Sequence, residues 1–158
     1  MRVAILTISD SVSRRQRQDL SGPAVGARCR ELNWTVVVTE HCSDDASGVR
    51  RKLTEIADSG QADLLLTTGG TGLGPRDTTP EATLEIAERA IPGLAEEIRR
   101  RGVEKTPTAV LSRGVAVIRR ETLIINLPGS PKGAVESLDA VAHLVPHAVE
   151  VLRGARHD

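Results

Sequence analysis

The sequence predicts an α/β fold: three layers, a mainly parallel sheet with one antiparallel strand element, and helices on both faces. Three observations carry this. Short apolar, β-rich runs alternate with helical patterns through the first half of the chain. Residues 63–68, DLLLTT, form a leucine run of the kind buried on both faces in parallel sheets. Two further runs, 115–118 and 123–126, are separated only by residues 119–122 and so pair antiparallel. With 158 residues, the chain reads as a single domain over residues 1–158, large enough to need no disulfide or metal staple.

The elements follow in order. Residues 3–8, VAILTI, are a buried first strand. Residues 9–22 are a long polar loop with Arg14, Arg15 and Arg17, read as a solvated face. A helix follows from Pro23 to about Leu32, with Ser21 as its cap. Residues 35–41 are the second strand. Ser43-Asp44-Asp45 then caps a helix whose Val49, Leu53 and Ile56 share one face, and Ser59-Gly60 ends it. After the third strand comes a glycine turn. Thr79-Pro80-Glu81 opens the next helix, which Pro92-Gly93 breaks before a second segment at 94–101. Arg99-Arg100-Arg101 reads as the charged end of that segment. Pro128-Gly129-Ser130-Pro131 leads into the last helix, which Pro146 kinks or interrupts.

Composition excludes several functions. Lys+Arg 21 balances Asp+Glu 21, and Trp34 is the only aromatic residue, so neither a basic footprint nor a stacking platform for nucleic acid exists. No apolar run approaches the ~20 residues of a membrane span. Met1-Arg2 leads directly into a strand rather than a signal peptide, so a cytoplasmic protein with reduced Cys29 and Cys42 is expected. No G-x-S-x-G elbow is present and neither cysteine has a histidine near it in sequence, which disfavours covalent catalysis. His143 and His147 lack the adjacent glutamate of a zinc motif, and Pro146 lies between them.

Ligands of open α/β sheets bind beyond the carboxyl ends of the strands. The segments found there are Ser9-Asp10, Ser43-Asp44-Asp45, the turn after the third strand, and Gly129-Ser130 with Lys132. In Thr67-Thr68-Gly69-Gly70-Thr71-Gly72-Leu73-Gly74, glycines let backbone amides approach an anion, and a helix N-terminus follows. No Gly-Lys-Ser/Thr follows, so this is not a P-loop, and its spacing is not that of a dinucleotide fingerprint. An acid beside such a turn repels a phosphate unless a cation intervenes. Asp77, with Asp44 as partner, therefore fits Mg²⁺ held between carboxylates and substrate phosphates. Lys132 at a helix start is unfavourable unless an anion binds there.

These residues resemble a known family. TTGGTGLGPRDTTPEA at 67–82 and NLPGSPKG at 126–133 are similar to the two signatures of molybdopterin adenylyltransferases of the MogA type, related to the gephyrin G-domain. The opening LTISDS, the run Asp19-Leu20-Ser21-Gly22 and Leu111-Ser112-Arg113 also fit, so the resemblance spans nearly the whole chain.

The resemblance implies a homotrimer that joins molybdopterin and Mg-ATP into adenylylated molybdopterin and pyrophosphate. It implies catalytic, Mg²⁺-binding roles for Asp44 and Asp77. It implies ligand contacts from Thr68, Gly69, Gly70, Thr71, Gly72, Gly74, Arg76, Ser112, Pro128, Gly129, Ser130 and Lys132. A non-catalytic subgroup departs at the Arg-Asp pair and at NLPG; this chain keeps both, as Arg76-Asp77 and as residues 126–129. Hand-over of product to a molybdenum-insertion protein also follows from the resemblance. The competing expectations are a pterin-binding carrier or scaffold without catalysis, and a related phosphohydrolase.

Overall fold

In the computed structural model, which describes residues 1–156, one six-stranded sheet runs in the order β2-β1-β3-β6-β5-β4. The strands are β1 (Arg2–Ile8), β2 (Thr35–Cys42), β3 (Leu64–Thr68), β4 (Arg89–Ala90), β5 (Ala116–Arg119) and β6 (Thr122–Leu127). The first three and β6 pair parallel, while β5 runs antiparallel to both β6 and β4. The helices are α1 (Asp10–Ser13), α2 (Ser21–Glu31), α3 (Ala46–Asp58), α4 (Thr79–Ile86), α5 (Pro92–Val103), α6 (Pro131–Val141) and α7 (Val145–Leu152). A 3-10 helix spans Pro107–Leu111.

The layers follow from the two-residue period of the strands. Val3, Ile5, Leu64, Leu66, Leu123 and Ile125 face α2, α5, α6 and α7. Ala4, Leu6, Leu65 and Ile124, on the opposite face, meet Val49, Leu53 and Ile56 of α3 and Ala82 of α4. Each fully buried leucine of β3 contributes roughly 2 kcal/mol of burial energy. At the edge strand β2 the register skips one residue: Val3 pairs with Val36 but Ala4 with Val38. The extra residue, Val37, is exposed, and the shift sends Val36 to one core and Val38 to the other.

Several expectations are corrected. The polar stretch 9–22 holds the short helix α1, capped by Ser9. Ser21 is the first residue of α2 rather than its cap; the cap position is Leu20, which offers no side-chain acceptor, and the Asp19 carboxylate just before it accepts from the Gly22 amide at 3.0 Å instead. Between α4 and α5 the chain forms the two-residue strand β4, too short and too polar to leave a periodic signal. The last helix is two, with Pro146 in the first turn of α7. No helix among the described residues is long and apolar enough to cross a membrane.

At the amino end of β3, Asp63 closes the sheet. Its carboxylate accepts from the Arg2 amide at 2.7 Å and from the Arg2 guanidinium at 2.8 Å, and it also pairs with Arg153. Burial opposes its ionisation, but these donors outweigh burial and hold its pKa at about 2, below the ordinary 3.8. A carboxylate with a depressed folded pKa stabilises the fold above its unfolded value, and loses that contribution as pH falls through the folded one. Asp63→Asn is therefore expected to cost about 2 kcal/mol at neutral pH. The gap from wild type should narrow between pH 4 and pH 2 in urea unfolding titrations; a gap independent of pH would refute the assignment.

Candidate active site

The carboxyl ends of β1, β3 and β6 lie side by side, and the turn after β3 is squeezed between the other two. Gly69 has φ +95, and a Cβ there would stand 2.3 Å from the carbonyl oxygen of Ile8 at the end of β1. Gly70 has φ +72, and a Cβ there would stand 2.1 Å from the Thr79 hydroxyl. Both positions thus need glycine for backbone conformation and for space. The turn is pinned by Gly69 N–H to the carbonyl of Leu127 at 3.1 Å, and by Thr79 N–H to the carbonyl of Gly70 at 3.2 Å. Among the described residues, the amides of Gly70, Thr71 and Gly72 donate to no other group. Unpaired amides in succession form a concavity suited to an anion.

Asp77 folds back on the turn. Its Oδ2 accepts from Gly74 N–H at 2.9 Å, and its own N–H donates to the Gly74 carbonyl at 3.0 Å. Asp44, at the end of β2, is locked to Asp10 at the end of β1. The Asp10 amide donates to Asp44 Oδ2 at 2.9 Å, and the Asp44 amide donates to Asp10 Oδ1 at 3.0 Å. Arg76 lies across this pair, its guanidinium 3.1 and 3.0 Å from the two Asp10 oxygens. Hydrogen bonds from Arg76, then from the Asp44 amide, hold the Asp10 carboxyl below its ordinary range. Asp44 is driven the other way: burial pushes its pKa up, and the charges of Asp10 and Asp77 add to that.

Two cavities meet at this turn. The larger, about 630 Å³, is walled by Thr71, Leu73, Ile98, Ala109, Leu111 and Ser112 on one side and by Lys132 and Ser137 on the other. The smaller, about 510 Å³, is of mixed character: Ser9, Arg17, Asp19, Ser21, Asp44 and Thr68 share its wall with Ile8, Val12 and Leu20. Gly70, Asp77, Gly129 and Ser130 line both.

Most sequence-predicted residues thus converge, though with distinct tasks. Thr68 is buried, sharing its hydroxyl with Ser21 at 2.8 Å, and braces the wall. Ser130 caps α6 through Gly133 N–H at 3.1 Å, beside Pro128 and Gly129. Lys132 extends from the first turn of α6 with its side chain 87% exposed, 4.0 Å from the Glu136 carboxylate. Gly72 and Gly74 pack against the Asp77 carboxylate. Arg76 is engaged with Asp10 rather than with the turn. The cap of α3 is Asp45, whose carboxylate accepts from Gly48 N–H at 3.0 Å, so Asp44 is released from capping and faces the cavity.

Other residues sequence reasoning undervalued. Arg17 lines the smaller cavity, and among the described residues its guanidinium makes no ion pair. Arg99 is not merely a charged helix end: it turns inward and donates to the carbonyls of Ser112 and Gly114 at 3.2 and 2.9 Å. Arg113 bonds to the glycine turn itself, its guanidinium donating to the Gly72 and Asp77 carbonyls. No local pattern marks such long-range backbone contacts. Burial raises both cysteine thiols to about 11, which leaves neither ionised at neutral pH. No three His, Cys, Asp or Glu side chains among the described residues are grouped to hold a metal unaided.

Comparison with known proteins accords with this geometry. Residues 4–147 match the model of the family described as "Probable molybdopterin binding domain". A molybdopterin adenylyltransferase of Helicobacter pylori is 40% identical over 154 residues, covering 96% of this chain and 88% of that protein. The molybdopterin adenylyltransferase of Escherichia coli K12 is 36% identical over 168 residues, covering 98% of this chain and 86% of that one. Among solved structures, the molybdopterin biosynthesis enzyme MoaB from Thermus thermophilus superposes with a TM-score of 0.91 at 48% identity, over 99% of each chain.

The turn geometry is directly testable. Gly69→Ala forces a Cβ against a backbone oxygen in a left-handed conformation, with no flexible side chain to move aside. It is expected to cost more than about 2 kcal/mol in thermal or urea unfolding, from the conformational penalty and the collision together. An alanine variant as stable as the parent would mean that the turn does not need its glycine.

Proposed function

This chain belongs to the molybdopterin-binding domain family, and we propose that within it the chain is an adenylyltransferase of molybdenum cofactor biosynthesis, moving AMP from ATP to the terminal phosphate of molybdopterin. Full-length relatives bearing that name support the enzyme class. The observation that carries the reading is the junction of two cavities at Asp77 and the unpaired amides of the glycine turn. Two organic substrates need separate chambers, and group transfer needs a shared wall where their phosphates meet.

The chambers differ in a way that matches the two substrates. The larger has apolar walls in Ile98 and Leu111, suited to a flat heterocycle, with Lys132 at its rim for the pterin's phosphate. The smaller has Arg17 and Asp44, suited to a nucleotide's charged tail. Asp44 and Asp77 together suit a divalent cation: two carboxylates beside a phosphate site is the usual donor set for Mg²⁺, and Asp44 already experiences burial and like charge. Bound there, Mg²⁺ would supply charge neutralisation at the nucleotide phosphates.

The chain's own groups do the rest. The amides of Gly70, Thr71 and Gly72 bind phosphate oxygens without reorganising, because the turn is already pinned at both ends. Lys132 and Ser130 orient the acceptor phosphate. Its oxygen attacks the α-phosphorus of ATP, the new P–O bond forms, the α–β bridge breaks, and pyrophosphate leaves on the Arg17 side. No protein nucleophile takes part, in keeping with the raised thiol pKa values. A homotrimer and hand-over of product to an insertion protein are further expectations of the family resemblance.

The deciding experiment combines turnover with calorimetry. Wild type is expected to bind a non-hydrolysable ATP analogue only with Mg²⁺, and to release pyrophosphate only when molybdopterin is present. Asp77→Asn should lose at least about 100-fold in transfer, the scale of a lost charge-stabilising contact, while keeping its melting temperature. Nucleotide-independent pterin binding with no ATP site would instead establish a carrier.

Arg17→Ala separates the two ends of the nucleotide. It is expected to weaken Mg-ATP by about tenfold, the worth of one charged hydrogen bond, and to leave AMP affinity as it was. Equal losses for both nucleotides would remove Arg17 from the leaving group.

A further inference from the structure

We infer that Arg113 is a positioning residue for the transfer reaction, holding Asp77 and the glycine turn in the arrangement that both cavities share; this rests on the proposed role of Asp77. The Arg113 amide donates to the Thr71 carbonyl at 2.9 Å, its Nε to the Gly72 carbonyl at 2.8 Å and its Nη2 to the Asp77 carbonyl at 2.7 Å. Its Nη1 pairs with Glu81 in the first turn of α4. One residue therefore ties three points of the turn to one another and to the helix the turn enters.

Asp77 is consequently gripped from two directions. Gly74 N–H holds one carboxylate oxygen from inside the turn, and Arg113 holds the backbone carbonyl from outside. Its other oxygen, Oδ1, makes no hydrogen bond among the described residues and is left for the cavities. The residue next to Arg113 is Ser112, which lines the larger cavity and whose carbonyl Arg99 holds. Arg113 thus also fixes the spacing between the wall of the larger cavity and the carboxylate at the junction.

A guanidinium suits this task because its donors are spread over a rigid plane. A lysine offers three donors from one point and cannot span the Gly72 and Asp77 carbonyls and the Glu81 carboxylate together. Arg113→Lys keeps the charge and removes the geometry. Glu81→Gln does the converse: it removes the ion pair and leaves the carbonyl contacts, and Glu81 lines neither cavity. If the interaction serves stability alone, the two variants should behave alike.

The test reads amide hydrogen exchange and steady-state kinetics on wild type and both variants. In Arg113→Lys, exchange at the Gly74 and Asp77 amides is expected to quicken at least about tenfold, with β3 amides unchanged. Its kcat should fall at least about 30-fold, since a misplacement near 1 Å can cost on the order of 100-fold, while KM for molybdopterin stays within about twofold of wild type. Glu81→Gln should match wild type in both. Unchanged exchange in Arg113→Lys, unchanged kcat despite faster exchange, or an equal loss in Glu81→Gln would each overturn the inference. Absence of transfer in wild type would sink the transferase reading separately, with the exchange data still deciding whether Arg113 holds the turn.

Discussion

Everything at the candidate site depends on how closely the ends of three parallel strands can approach. β3 lies between β1 and β6 and is buried on both faces, so the chain leaving it has no lateral freedom. The turn must rise through a gap bounded by the carbonyl of Ile8 on one side and Gly129 on the other, and only a residue without a Cβ passes. Because the turn is then fixed to Leu127 and to the start of α4, its amides remain unpaired instead of collapsing onto neighbours. The row of unpaired amides is a by-product of that crowding. Residues that read as functional in the sequence are in this sense enforced by the sheet.

The second constraint is electrostatic. The chain carries no net charge, yet it gathers Asp10, Asp44 and Asp77 at the strand ends. Two devices make this tolerable. The reciprocal amide bonds between Asp10 and Asp44 give each carboxylate a backbone donor, and Arg76 neutralises Asp10. That division leaves Asp44 and Asp77 as the carboxylates facing the junction that, among the described residues, have no cationic partner in a salt bridge. On the proposed reading the arrangement suits a cation that arrives with its ligand, since the carboxylates are already held before anything binds.

The sequence made much of this legible because its signals were local. The leucine run of β3, the glycines after it and the Pro-Gly-Ser-Pro run before α6 each declare their conformation within a few residues. Period-two burial then dictates both layers, and parallel strands carry their loops to one edge. What stayed hidden was non-local. The two-residue strand β4 exists only because β5 is beside it. The carboxylate that serves the first turn of α2 comes from Asp19, before the cap position, and it also accepts from the Thr7 hydroxyl at 2.7 Å. Arg99 and Arg113 look like surface charges until folding brings backbone carbonyls to them. Asp44 and Asp45 stand side by side in the sequence, and the direction of the chain entering α3 assigns Asp45 to the cap and Asp44 to the cavity.

The contrast between transferase and carrier turns on the same charges. A carrier of a phosphorylated pterin gains affinity from amides and lysine, and loses it from every nearby carboxylate. Asp77 lines the larger cavity as well as the smaller, and Asp44 stands beside it, so both acids work against simple retention of an anion. Such a placement is costly unless a second ligand brings positive charge with it, and a metal-nucleotide complex does so. A hydrolase would share the acids but has no use for a second chamber walled by Ile98 and Leu111. Two chambers, one acidic junction and a rigid amide cradle between them therefore favour transfer between two bound substrates over storage of one.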